Sequence, residues 1–304
     1  MSNHNKEFMV TADKQHSTPN VLPIGEPPTR RLRFGSMQII GPGHWGAPNN
    51  PEQAMQILRD AANAGVTHID TADAYGPFTA EKYIRKALHP YPHGLVIATK
   101  GGLTRQSPAK WAPCGRPEYL RQCVEISLRR LQVDRIDLYY LHRIDPAVPM
   151  EDQLAVLSDM QAEGKIHHIG LSKVDISHVR KAAELVDIAA VQNKYNVSNR
   201  VFEEVLRHCE IAEIAFVPYA PLATGKLAEL GGVLDELATK YNAMPAQLAL
   251  AWLLHRSPVM MPIPGTSCST HLHENLMAVQ IDLTRDDVTA IGLAINDNPA
   301  ASLV

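Results

Sequence analysis

The sequence predicts an α/β fold of one domain, a (β/α)8 TIM barrel, and three observations carry that expectation. Short runs rich in Val, Ile and Leu alternate with longer segments of helical period, the pattern of parallel strands joined by helical crossovers. Eight such runs occur between positions 32 and 263, and closing them into a barrel leaves no exposed sheet edge. Two of the runs end on Lys100 and His142, and barrels of this kind hold their chemistry at the C-terminal ends of their strands. An open, doubly wound sheet is the alternative arrangement of the same elements.

The elements follow in order. Residues 1–29 are polar and hold Pro19, Pro23, Pro27 and Pro28, which suits a mobile tail or an extended arm, so the barrel is assigned to residues 30–304. A strand over 32–40 leads to a helix over 51–64, then strand 66–70, helix 79–88, strand 95–100 and helix 117–131. The alternation continues with strand 136–142, helix 150–163, strand 166–171, helix 176–185, strand 187–192, helix 200–209 and strand 213–219. A helical pair, 231–241 and 245–255, precedes the last strand at 259–263. The segment 101–116 reads as a long variable loop.

Composition narrows the function. The 304 residues are 45% hydrophobic, enough for a large single core. A net charge of -3 and one short basic cluster, Arg30 to Arg33, argue against a nucleic-acid footprint. No apolar run reaches the roughly 18 residues of a membrane span, and the first 28 residues lack a signal-peptide core. The four cysteines have no C-x-x-C spacing, so reduced thiols in the cytoplasm are expected. His167, His168, His271 and His273 have no third ligand at a recognised spacing, and no metal is expected.

Chemistry concentrates in four residues. Asp70 and Tyr75 lie in the run His68-Ile-Asp-Thr-Ala-Asp-Ala-Tyr-Gly76, and Lys100 and His142 close their strands. A tyrosine with a pKa of about 10 is a poor acid near neutrality, and a lysine beside it favours the phenolate. At an effective dielectric of about 20, a cation about 4 Å away is worth on the order of 4 kcal/mol, roughly three pKa units toward 7. Gly41-Pro-Gly43-His-Trp-Gly46 matches a dinucleotide fingerprint in letters, but four residues intervene before the next helix, so its glycines are expected to shape a loop. A glycosidase-type pair drawn from Asp70, Asp73, Glu81 and Asp137 would leave Tyr75 and Lys100 without roles.

From Arg31 to Ala290 the chain resembles the aldo-keto reductases, a bacterial branch similar to pyridoxal reductases. The likeness rests on Ile69-Asp-Thr-Ala72 with Tyr75-Gly76, Thr99-Lys100, Asp137 to His142, Ile169-Gly-Leu-Ser172, Val191-Gln192, Pro218 to Leu222 and Ile263-Pro264. The resemblance implies a barrel binding extended NADP(H), with Asp70, Tyr75, Lys100 and His142 catalytic. Tyr75 would be the proton donor in reducing a small aldehyde or ketone. It implies cofactor contacts from Gly35, Ser36, Met37, Asp70, Ser172, Lys173, Gln192 and Tyr219. It adds Ala220, Pro221, Leu222, Gly225 and Lys226 over the pyrophosphate. Ile263, Gly265, Thr266, Ser267, His271, Glu274 and Asn275 would meet the adenosine 2′-phosphate end.

Two positions depart from the family pattern. Lys173 stands where asparagine is usual, and Gly265 and His271 replace the frequent lysine and arginine near the phosphate. The substrate pocket is expected from Trp45, Tyr75, Trp111 and His142 and suits a neutral aldehyde or ketone with an aromatic body; Arg105, Arg116 and Arg143 read first as surface charges, while leaving room for a substrate that carries a phosphate or carboxylate. Competing readings are a cofactor-sensing or partner-binding subunit, as in the family's potassium-channel β-subunits, and a Schiff-base aldolase or isomerase using Lys100.

Overall fold

The computed structural model describes residues 31–229 and 234–296, so the expected tail, the first residues of the helix expected from 231, and the final eight residues lie outside the described part. Seven parallel strands form one curled sheet in the order β1 (Phe34–Gly35), β2 (His68–Asp70), β3 (Val96–Gly101), β6 (Ile136–Leu141), β7 (Ile166–Ser172), β8 (Ile188–Lys194) and β9 (Ala215–Tyr219). An antiparallel hairpin, β4 (Leu103–Ser107) and β5 (Lys110–Pro113), leaves the end of β3. The helices are α1 (Pro51–Asn63), α2 (Thr79–Leu88), α3 (Pro117–Leu131), α4 (Met150–Ala162) and α5 (Ile176–Ala183). They continue as α6 (Glu203–Ala212), α7 (Asp235–Lys240), α8 (Pro245–Arg256), α9 (Ser269–Met277) and α10 (Arg285–Asn296).

The eighth side of the barrel is closed by residues 259–264. Met261 and Ile263 donate to Phe216 and Pro218 of β9, while Arg33 and Gly35 donate to the carbonyls of Pro262 and Pro264. Those prolines accept hydrogen bonds but have none to give back, so the segment closes the ring without forming a regular strand. The result is the expected (β/α)8 barrel.

The first strand is much shorter than residues 32–40. Only Phe34 and Gly35 pair with β2, and the chain then turns through a 3-10 segment, Ser36–Ile39. Ile39 and Ile40 owe their apolar character to burial rather than to sheet. α6 lies three residues C-terminal to its expected start.

Strand alternation separates two environments. Ala98, Leu138, Tyr140, Ala190, Ala215, Val217, Met261 and Ile263 form one buried cluster contributed by alternate strand positions, as a filled barrel interior requires. A larger cluster, including Tyr139, Leu141, Ile169, Leu171, Leu154 and Trp252, joins the strands to the helices. Local signals place the helices: Asn50 accepts from the Gln53 amide with Pro51 at the first turn of α1, and Asp175 accepts from the His178 amide at α5.

Candidate active site

Asp70 is the last residue of β2, and the loop after it stays paired with β3: Thr71 donates to the Ala98 carbonyl and Asp73 to that of Lys100. Gly76 then turns the loop into α2 at φ 91°, with Thr79 packed so closely that a Cβ would lie 2.4 Å from its own. No other residue fits that turn. This route brings Tyr75 over the ends of β2 and β3.

Lys100 is fully buried, and its ammonium donates to Asp70 Oδ1 at 2.5 Å, to the Thr71 carbonyl at 2.8 Å and to the Tyr75 hydroxyl at 3.3 Å. All three donors are engaged, and Lys100 does not line the cavity, which disfavours a Schiff base there. Gln192 donates to Asp70 Oδ2 at 2.7 Å. His142 sets its ring edge-on to Tyr75, with centroids 6.0 Å apart. The four residues expected to act together are thus brought together.

Burial works on all of them. It pushes the Asp70 carboxyl up, while Lys100 and Gln192 hold its charge. Burial pulls the Lys100 ammonium down, and Asp70 with Tyr75 more than restores it. The expected fall of the Tyr75 pKa toward 7 is not what this geometry gives. Burial raises the phenol, Lys100 opposes that, and Asp70 weakens the opposition, so the net direction is upward. The ammonium acts as half of an ion pair rather than as a bare cation. Burial, reinforced by Lys100, Arg143 and Arg105, holds His142 well below the usual histidine range, so its ring is neutral. Its Nδ1 is buried with no hydrogen-bond partner among the described residues.

A cavity of about 1,120 Å³ opens above these residues. Gly35, Met37, Asp70, Tyr75, His142, Ser172, Lys173, Gln192 and Tyr219 line it, as do Ala220, Pro221, Leu222 and Gly225. Ile263, Gly265, Thr266, Ser267, His271, Glu274 and Asn275 complete the other end. Besides Lys100, three expected residues fall outside. Ser36 is fully buried beneath the wall, Lys226 points from an exposed position, and Trp45 packs against the Arg105 guanidinium at 5.3 Å. Trp111 does line the cavity, and the Arg105 guanidinium lies over its ring at 3.4 Å.

Segment 101–116 is therefore not a loop but a hairpin clamped over the mouth. Arg105 donates to the carbonyls of Ala74 and His44, tying the hairpin to the Tyr75 loop. The glycines at 41, 43 and 46 shape a 3-10 turn and a bridge from Trp45 to Gly76 and do not themselves line the cavity. Asp73, Glu81 and Asp137 do not line it either: Glu81 pairs with Arg130, and Asp137 accepts from the Ile97 amide. Of the four carboxylates weighed as a glycosidase pair, Asp70 alone lines the cavity.

The lining suits an extended dinucleotide. Ser172 and Gln192 offer buried polar groups, and Tyr219 a flat ring, at the end near Tyr75. Ala220, Ala223, Thr224 and Gly225 all have positive φ, a backbone habit that makes anion-binding concavities. At the far end Thr266, Ser267 and His271 precede or open α9, where helical amides are unpaired. Lys173 has φ 55° and is exposed. That left-handed position suits asparagine, which explains the family's usual choice on backbone grounds.

Of the three arginines weighed from the sequence, Arg143 lines the cavity and Arg105 and Arg116 do not. His44, Leu103 and Met244 line it without having been assigned there from the sequence.

Comparison with known proteins agrees with this architecture. Residues 31–295 match the model of the aldo/keto reductase family. An uncharacterized oxidoreductase of Schizosaccharomyces pombe is 45% identical over 270 residues, covering 89% of this chain and 88% of the relative. Pyridoxine 4-dehydrogenase of Escherichia coli is 38% identical, over 90% of this chain and 97% of its own length. The thermostable aldo-keto reductase Tm1743, solved with the inhibitor epalrestat, superposes with a TM-score of 0.77 at 29% identity, covering 87% of this chain and 94% of that one.

Proposed function

We propose that this chain, which belongs to the aldo/keto reductase family, is a cytoplasmic NADP(H)-dependent enzyme that interconverts a small aldehyde or ketone and its alcohol. The observation that carries the reading is the buried contact of Lys100 with both Asp70 and Tyr75, beside His142 and below a cavity of about 1,120 Å³. The bound nicotinamide supplies the hydride. In the reducing direction Tyr75 gives its proton to the carbonyl oxygen as that oxygen gains negative charge. Lys100 steadies the phenolate left behind, and the proton is replaced from solvent. Asp70 and Gln192 keep Lys100 aimed, and the neutral His142 ring orients the carbonyl oxygen.

Ser172, Gln192 and Tyr219 would hold the nicotinamide end, the loop over 220–226 the pyrophosphate, and Thr266, Ser267, His271 and Asn275 the 2′-phosphate. The identity of the E. coli relative supports including pyridoxal among candidate substrates. The test is loss of NADPH absorbance with a panel of aldehydes and ketones, pyridoxal included. Turnover of at least one carbonyl supports the reading, and NADPH binding without turnover of any speaks against it.

A further inference from the structure

The charges acting on His142 come from Lys100, Arg143 and Arg105, and all are positive. Asp70 answers Lys100. Among the described residues, neither arginine has a carboxylate partner, and the hydrogen bonds of Arg105 go to main-chain carbonyls. Arg143 lines the cavity beside Tyr75 and Tyr219, and its Nη1 donates to the His142 carbonyl at 2.5 Å and to Ser172 Oγ at 3.1 Å. No hydrogen bond within the described residues engages its Nε or Nη2. The carboxylates in the cavity wall other than Asp70 are Glu229 and Glu274, which belong to the loop after β9 and to α9, on the cofactor side.

Arg143 is partly buried and lines the cavity with no carboxylate partner among the described residues, and a ligand anion there gains two parallel charge-assisted bonds. The cofactor's phosphates belong over the loop after β9 and at α9, whereas Arg143 stands at the reacting end. We infer that Arg143 is a specificity-determining residue that selects carbonyl substrates carrying an anion, a carboxylate or a phosphate ester, close to the reacting group. This deepens the proposed carbonyl reduction and rests on it.

The test compares kcat/KM for two matched pairs: terephthalaldehydic acid against its methyl ester, and pyridoxal phosphate against pyridoxal. Each is measured with the wild type, Arg143→Gln and Arg143→Lys, and NADPH binding is titrated for all three proteins. The wild type is expected to favour at least one anion over its neutral counterpart by at least about tenfold, chiefly through KM. The pair that shows the preference identifies the anion. Arg143→Gln is expected to bring that ratio to within about threefold of unity, and Arg143→Lys to keep part of it. Wild-type indifference in both pairs, or an unchanged ratio in Arg143→Gln, overturns the inference and leaves carbonyl reduction standing. Parallel loss on all four substrates together with weaker NADPH binding overturns it in favour of a cofactor role for Arg143. No turnover of any of the four by a protein that reduces other carbonyls of the wider panel overturns this inference and leaves carbonyl reduction standing; no turnover across that panel removes both.

Discussion

Gln192 holds the one oxygen of Asp70 that Lys100 leaves free, donating to Oδ2 at 2.7 Å while Lys100 donates to Oδ1 at 2.5 Å. A residue on β8 thereby fixes an ion pair built from β2 and β3. Changing Gln192 to Met leaves a buried carboxylate oxygen without a donor, which costs about 1–3 kcal/mol. The expected outcome is a lower denaturation midpoint and a lower kcat, measured by chemical unfolding and by NADPH oxidation. Unchanged stability and turnover would show that Gln192 does not organise the pair.

The pH dependence has a definite sign. Burial raises the Tyr75 phenol, so it stays protonated through the neutral range, and reduction is expected to vary little between about pH 6 and pH 8. Alcohol oxidation needs the phenolate and is expected to rise with pH over the same interval. In Lys100→Met the downward pull is lost, the phenol moves further up, and the rise in oxidation shifts to higher pH. Paired pH-rate profiles in both directions check this.

Lys173 occupies a left-handed position with its side chain exposed. Lys173→Asn is expected to stabilise the fold by about 0.5–1 kcal/mol, because asparagine tolerates that backbone conformation better. The urea midpoint reports it, and a lower midpoint would contradict it.

Cofactor choice turns on the phosphate end. NADPH is expected to bind about ten- to a hundredfold more tightly than NADH, equivalent to about 1.4–2.8 kcal/mol, from hydroxyls and the α9 N-terminus. Gly265 cannot regain the family's cation, since a Cβ there would lie 2.5 Å from the Gly35 carbonyl. Position 271 can. His271→Arg is expected to widen the preference by about tenfold, and Gly265→Lys to destabilise the fold. Fluorescence titration of both cofactors checks the first, and thermal unfolding the second.

The parts legible in the sequence are those whose signal is local. Asp70, Lys100 and His142 sit in or directly after a short strand and Tyr75 in the loop that follows one, and strand ends converge in a barrel. The hairpin at 103–113 was not legible, because Arg105 ties it to Trp45, Trp111 and the Ala74 carbonyl through contacts made only on folding. The closing segment at 259–264 is correctly located yet irregular, since Pro262 and Pro264 remove two ladder donors. α9 is polar apart from Leu272, Leu276 and Met277, too weak a period to mark a helix. The net pKa direction of Tyr75 also depends on burial and on Asp70, which spacing along the chain does not reveal.

Tyr75→Phe isolates the proton donor. The ring and its place beside His142 are retained while the hydroxyl 3.3 Å from Lys100 is removed. With a carbonyl that the wild type reduces, kcat for NADPH oxidation is expected to fall by at least about a hundredfold, with NADPH affinity within about threefold of wild type. A variant that keeps most of the wild-type kcat would show that Tyr75 does not supply the proton.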